Sequence, residues 1–133
     1  MFTVIFHDKA KQELSSLPLS FKVKIVKLLK KLEYSPSELP HPNISPVCDG
    51  IFEVRATIKH TVRGLWVYQW GKKIFVLIFI DDISKKVHDE MIMAVAWMRL
   101  QEMSNYKKHY LKLDQIHNEY MYNPEYKSIY EED

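Results

Sequence analysis

Apolar residues recur at helical spacing through the first third of the chain, after one short strand. The run Thr3-Val4-Ile5-Phe6 is rich in β-branched and aromatic residues and predicts that strand. Asp8 is placed to cap a first helix, which Pro18 ends, and Ser20 is placed to cap a second. The second helix carries an apolar stripe formed by Phe21, Ile25, Leu28, Leu29 and Leu32. The pattern therefore predicts a strand followed by a helical hairpin.

A linker rich in proline separates this hairpin from a region with a different period. Its prolines are Pro36, Pro40, Pro42 and Pro46. After Asp49-Gly50 the apolar period changes from 3.6 to 2, which is typical of a strand with one buried face. On this pattern Phe52, Val54, Ala56 and Ile58 are buried. Glu53, Arg55 and Thr57 are exposed.

Two further strands complete the predicted sheet. One runs from about Thr61 to Trp70 and is joined through a tight turn at Gly71-Lys72 to the other, Ile74 to Ile80. Because the last strand is apolar on both faces, we expect it inside the sheet with both faces covered. The alternating aromatics Trp66 and Tyr68 are interpreted as core residues.

The chain then returns to helix. Asp81, Asp82 and Ser84 are candidate caps for a helix whose apolar positions are Val87, Met91, Ala94, Val95, Met98 and Met103. The tyrosine-rich remainder begins at Ser104; its first part is predicted helical, with a break at Asn123-Pro124 and a frayed end. The predicted fold is α+β, in the order β-α-α-β-β-β-α, with a domain over residues 1–103 and an extension over 104–133.

Composition narrows the class of protein. With 133 residues, 47% of them hydrophobic and 27% charged, the chain fits one globular domain and is neither disordered nor fibrous. Its most apolar run, Ile74 to Ile80, is far shorter than the roughly 20 residues of a transmembrane helix. The amino terminus has no basic region followed by an apolar run, so a cytoplasmic protein without a membrane partner is expected. The single cysteine, Cys48, excludes an internal disulfide and cysteine-rich zinc sites.

Charge is distributed unevenly, although the net charge is only +2. Residues 1–80 carry 12 Lys or Arg against 6 Asp or Glu, a balance of +6, whereas residues 81–133 carry 7 against 11, a balance of −4. A basic body is compatible with nucleic-acid binding. A solvated helix face is the more frequent explanation for a lysine run such as Lys22, Lys24, Lys27, Lys30 and Lys31.

The order of elements, together with two short motifs, resembles the RelE/ParE toxin superfamily. The motifs are Gly50-Ile51-Phe52-Glu53-Val54-Arg55 on one predicted strand and Val62-Arg63 on the next. The nearest branch is the HigB-type, phage-associated toxins of type II toxin–antitoxin systems, and the likeness covers residues 1 to about 103. It implies a small sheet flanked by helices, cleavage of mRNA on the ribosome, and inhibition by a cognate antitoxin. The chain departs from the family in its acidic Asp81-Asp82, where a lysine-rich segment is usual, and in its longer tail.

Metal-independent RNA cleavage needs fixed positive charge beside the scissile phosphate and groups that transfer protons. Arg55 and Arg63 are the predicted catalytic cations, projecting from one sheet face and matching the arginines of the family's strand motifs. The alternative for each is a surface ion pair with Glu53 or a tail carboxylate. His60 is a candidate general acid or base. The predicted RNA-binding residues are Lys59, Lys85 and Lys86.

Other chemistries receive little support from the sequence. The carboxylates Asp81, Asp82, Asp89 and Glu90 have no EF-hand or His/carboxylate spacing, so no metal and no cofactor are predicted. Three ungrouped glycines exclude a glycine-rich phosphate loop, and Cys48 has no evident base. Tyr68 and Trp70 are of a type that stacks on unpaired bases.

Two alternative functions stay open at this level. One is a ParE-type poison of DNA gyrase built on the same fold. The other is a non-catalytic RelE-fold binding module, in which the acidic, tyrosine-rich tail folds over the basic face and masks it.

Overall fold

A computed structural model describes residues 1–35, 44–81, 89–105 and 108–132. The elements, in chain order, are β1 Thr3–Phe6, α1 Asp8–Ser15, α2 Leu19–Tyr34, β2 Ile44–Cys48, β3 Ile51–Thr57, β4 Thr61–Gln69, β5 Lys73–Asp81, α3 Asp89–Asn105, α4 Leu113–Tyr120 and α5 Pro124–Glu131. The predicted α+β class is confirmed.

The five strands of the described residues form one sheet in the order β1-β5-β4-β3-β2. Strands joined by short turns pair antiparallel, whereas β1 pairs parallel to β5. The α1–α2 hairpin follows β1 at one edge of the sheet and precedes β2 at the other edge. Strand β5 lies between β1 and β4, and both of its faces are buried. The expectation for this strand is confirmed.

Helices cover the two faces of the sheet. Helices α1, α2 and α4 contribute Leu14, Leu29 and Ile116 to one core, together with Val54 of β3 and Val62 of β4. Helix α3 contributes Ile92, Ala96 and Met103 to a second core on the other face, beside Ile51 and Leu77. Alternate residues of one strand therefore face different helical layers.

Both predicted helix caps are wrong by one or two residues. His7 precedes α1, and its Nδ1 accepts a hydrogen bond of 3.0 Å from the backbone N–H of Lys9, so Asp8 is the first helical residue. Helix α2 begins at Leu19 directly after Pro18, which places Ser20 inside the helix. Proline provides this start because its fixed φ suits a helix entry and its missing N–H has no partner to lose.

Three larger features differ from the sequence pattern. The end of the proline-rich linker, Ile44–Cys48, is an edge strand, and Pro46 is tolerated there beside a register shift. On α3 the predicted stripe is only partly confirmed: Met103 is buried, but Met91 and Met98 are exposed, and Ile92 and Ala96 are buried in their place. In the tail the predicted helical first part and the break at Asn123-Pro124 are confirmed, but a second helix, α5, follows that break and continues to Glu131. The remaining linker residues, 36–43, and the predicted caps Asp82 and Ser84 lie outside the described residues.

Burial along the sheet departs from simple alternation at three residues. Glu53, predicted exposed, is buried, and Ile58, predicted buried, is 46% exposed where the chain turns towards β4. Trp66 is fully buried as predicted, whereas Tyr68 is 39% exposed. The buried Glu53 is the departure that bears on function.

Candidate nucleic-acid interface

Arg55 of β3 and Arg63 of β4 are direct cross-strand partners in the antiparallel pair. Residues opposite each other in such a pair project to the same side, so both guanidinium groups lie on one face of the sheet. It is the face that carries Ile51 and the α3 core, since Arg55 alternates with Val54 and Ala56 of the opposite core. The strand pattern predicts this arrangement.

Glu53 lies between the two arginines and contacts both. Its Oε1 is in contact with Nε of Arg55, and its Oε2 is 3.7 Å from Nη1 of Arg63. The carboxylate side chain is only 4% exposed, whereas Arg55 is 48% and Arg63 19% exposed. The two arrangements considered for the arginines are therefore both present: Arg55 and Arg63 share one sheet face, and both contact Glu53. The carboxylate orients the guanidinium groups and leaves part of each towards solvent.

Alternation alone assigns Glu53 to solvent and misses this role. A signal was nevertheless present in the sequence, because Glu53 and Arg55 are two residues apart on one strand and so share a face. Two arginines placed directly opposite each other repel, and a carboxylate on the same face relieves that repulsion. This electrostatic requirement explains why an acidic side chain is buried at that position.

The β3–β4 turn is held against α2, and it places His60 away from solvent. The ring of His60 lies 4.7 Å from the ring of Phe21, and its Nε2 is 2.9 Å from Oδ1 of Asp81. The Nζ of Lys24 donates to the carbonyl of Thr57 at 2.8 Å, which ties the end of β3 to α2. His60 thus contacts the α2 layer and the end of β5, while the arginines project from the opposite face.

The other predicted nucleic-acid contacts are only partly described. Lys59 is exposed in the β3–β4 turn, as an RNA-binding role requires. Lys85 and Lys86 lie outside the described residues. Trp70 is 94% exposed at the β4–β5 turn, beside the half-exposed Tyr68. That turn uses positive φ at Gly71 and Lys72, as the sequence predicts.

The tail packs on the lysine-rich surface of α2. Lys30 of α2 pairs with Asp114 at 2.7 Å, and the Nζ of Lys27 lies 5.2 Å from the ring centre of Tyr130. Tyr126 of α5 is completely buried. Because α2 covers the sheet face opposite Arg55, helices α4 and α5 lie on the side away from the arginines. The segment before them, residues 108–112, passes the edge strand β1 instead. The lysine run on α2 is thus largely a tail-binding surface.

Neither a metal centre nor a membrane span is found in the part of the chain that the structure describes. No three His, Cys, Asp or Glu side chains there are grouped to hold a metal ion. No helix there combines the length and the apolar character needed to cross a bilayer.

Comparison with protein families matches residues 12–99 to the model of a phage-derived protein family, Gp49-like (DUF891). The match covers more than half of the chain and includes the helical hairpin, the arginine pair and α3 up to Arg99. The chain belongs to the Gp49-like family. This family is of the RelE toxin type, which agrees with the resemblance seen in the sequence motifs. No curated protein matches the Gp49-like chain. The match ends before α4 and α5.

Proposed function

We propose that this Gp49-like chain is the HigB-type toxin of a type II toxin–antitoxin pair and cuts mRNA on the ribosome without a metal ion. One observation carries the proposal: Arg55 and Arg63 are cross-strand partners on one sheet face, oriented by the buried Glu53. Guanidinium groups keep their charge at all physiological pH values and bind phosphate with two parallel hydrogen bonds. The pair is suited to hold one phosphodiester.

In the proposed reaction the nucleophile is the 2′-hydroxyl of the RNA itself. Its oxygen forms a bond to the adjacent phosphorus as its proton leaves, and the bond from phosphorus to the 5′-oxygen breaks as that oxygen gains a proton. The products are a 2′,3′-cyclic phosphate and a 5′-hydroxyl. Negative charge increases on the phosphoryl oxygens in the transition state, where Arg55 and Arg63 stabilise it. Proton transfer is not assigned to His60, because its ring lies against Phe21 and beside Asp81 on the α2 side of the sheet, opposite the two arginines.

The RNA and protein partners belong to the same proposal. Binding of the mRNA backbone is assigned to Lys59, Lys85 and Lys86. The antitoxin covers the arginine face with an acidic or amphipathic segment, since that face presents the charge to be neutralised. Helices α4 and α5 are not that inhibitor, because they bind α2 on the other side of the sheet.

The decisive experiment is cleavage of a defined mRNA by the purified chain in a reconstituted translation system. Cuts are mapped by primer extension, and the new ends are tested for cyclic phosphate. We expect Arg55→Ala and Arg63→Ala each to lower the rate by about 10²–10³, the usual effect of removing a transition-state donor. Lys31→Ala on the exposed side of α2 removes a charge far from the site and serves as the matched control.

Three results would each reject part of the proposal. Intact mRNA during translational arrest rejects the nuclease. Equal cutting of naked mRNA rejects the ribosome requirement. Inhibition of gyrase and DNA-damage signalling without cut mRNA identifies the ParE-type alternative.

A further inference from the structure

A groove of about 290 Å³ opens where the tail passes the edge strand β1. Its walls combine lysines with half-buried rings and include Lys73, Phe75, Met103, Lys108, Tyr110 and Lys112. We infer that this groove binds an unpaired nucleotide, whose base lies against Phe75 and Tyr110 and whose phosphate is held by Lys73 and Lys112.

Strand register places these side chains on one surface. Ile5 of β1 is the Cα partner of Phe75 on one side and of Lys112 on the other. Lys73 precedes Phe75 by two residues on β5 and therefore projects to the same face. The backbone N–H of Phe6 donates to the carbonyl of Leu111 at 2.9 Å, which fixes the tail segment along β1. Backbone pairing of β1 with β5 and with the tail segment thus fixes the positions of the residues that line the groove.

The charges of the groove favour an anion. Lys108 is already occupied, since its ammonium contacts Oδ2 of Asp8. Lys73 and Lys112 are exposed, and neither forms an ion pair with any of the described residues. Two ammonium groups are thus left for a ligand. The carboxylate of the neighbouring Glu102 lies 3.5 Å from Nε2 of His7.

The apolar part of the groove favours a planar ligand group. Met103 forms a buried floor, and the rings of Phe75 and Tyr110 are half-buried beside it. The Nζ of Lys108 lies 5.7 Å from the ring centre of Tyr110, which adds positive charge next to that ring. Aromatic faces flanked by ammonium groups are the common means of binding single-stranded nucleic acid, because every base offers a π-face. An acidic peptide would use the lysines and leave the rings unused.

The groove is separate from the proposed cleavage site. Half of it, from Lys108 to Lys112, lies after residue 99, where the match to the Gp49-like family ends. It opens on the same sheet face as Arg55, because Phe75 is in register with Val67 and Val67 with Ile51. If the ligand is the mRNA of the proposed function, a strand held at the arginines continues towards this groove. The binding itself does not depend on cleavage.

The test measures binding of a fluorescein-labelled single-stranded RNA decamer to the full chain carrying Arg55→Ala, so that the probe stays intact. Lys73→Ala with Lys112→Ala should weaken binding at least tenfold and lower the slope of log affinity against log salt by about 1.4. The control pair, Lys9→Ala with Lys31→Ala, removes the same charge from exposed sites on α1 and α2 and should change affinity less than twofold. The backbone N–H of Lys112 donates to Oε1 of Gln115 and is kept in the alanine variant.

A second variant separates stacking from charge. Tyr110→Leu should lower the affinity for the RNA probe about tenfold and leave the salt slope of that affinity unchanged, because it removes a ring and no charge. Displacement of the probe by millimolar AMP shows that free nucleotides enter the groove, and resistance to AMP shows that a strand is required; either outcome supports the assignment. Equal weakening by the groove and control pairs, or displacement by polyglutamate as effective as by unlabelled RNA, overturns it. Uncut mRNA in the translation assay rejects the proposed nuclease alone.

Discussion

Glu13 of α1 and the buried Arg99 of α3 form a bidentate, partly buried ion pair beside strand β5. Arg99 donates from Nη1 to Oε1 at 2.8 Å and from Nη2 to Oε2 at 2.9 Å. The same groups complete the strand edge beyond the end of β1: Nη1 also donates to the carbonyl of Leu77, and Oε1 accepts from the N–H of Phe79. One ion pair therefore joins the two helical layers and provides hydrogen-bond partners for two backbone groups of β5 that lie beyond the end of β1.

Replacing Arg99 should strongly destabilise the protein. Arg99→Met leaves the Glu13 carboxylate without its partner and the Leu77 carbonyl without a donor, so we expect a loss of about 3–5 kcal/mol in the free energy of unfolding. Urea unfolding followed by circular dichroism measures it. The surface variant Lys31→Ala should stay within about 0.5 kcal/mol of the parent. A loss below 1 kcal/mol for Arg99→Met would show that the pair contributes little.

Glu53→Gln tests whether the buried carboxylate positions the arginines. The amide keeps the shape but removes the charge that offsets Arg55 and Arg63, which lie directly opposite each other. We expect mRNA cleavage to fall about tenfold, less than for loss of either arginine. The check is the cleavage rate measured beside the unfolding curve. A rate that falls only in proportion to lost folded protein would contradict a positioning role.

His7 should make the protein less stable in mild acid. Burial lowers the pKa of this imidazole below its usual 6.5, and Arg99 lowers it further, while Glu102 partly opposes the shift. The folded state therefore binds the proton less readily than the unfolded chain, so this contribution is complete above pH 6.5 and declines as the pH falls below it. Protonation at Nδ1 also removes the acceptor that caps α1.

His7→Asn separates the cap from the titration, since asparagine accepts the same hydrogen bond and does not ionise. Urea unfolding at pH 7.5 and pH 5.5 should show a smaller loss for this variant than for the parent. Burial also lowers the pKa of His117, so part of the pH dependence will persist in the variant. An unchanged difference between the two pH values would rule out His7 as a source.

The tail should stabilise the fold without inhibiting mRNA cleavage. Tyr126→Ala empties a fully buried site where α5 packs on His117 and Tyr120 of α4, and it should cost about 3–5 kcal/mol. Tyr122→Ala, at an 89% exposed position, should cost almost nothing. At a temperature where both variants are folded, mRNA cleavage should equal that of the parent. Faster cleavage by Tyr126→Ala, or by a chain ending at Met103, would favour the tail-masking alternative.

The sequence pattern located the strands around the candidate site closely. Alternation in β3 and the glycine turn after Trp70 depend on neighbouring residues, so β3, β4 and β5 lie where they were predicted. The pattern failed where distant groups decide burial. Glu53 is buried because two arginines flank it, and Arg99 is buried because Glu13 and the β5 edge receive its hydrogen bonds.

Local chemistry along the chain was enough to set the α+β class, the facing arginines and the likeness to RelE-type toxins, because these follow from periodicity and short motifs. Only tertiary packing decided that α4 and α5 lie on α2, on the side away from Arg55, and that Lys112 of the segment before them joins Lys73 in one groove. The residues that meet there are far apart in the chain, and such contacts produce no periodic pattern in the local sequence from which they could be predicted.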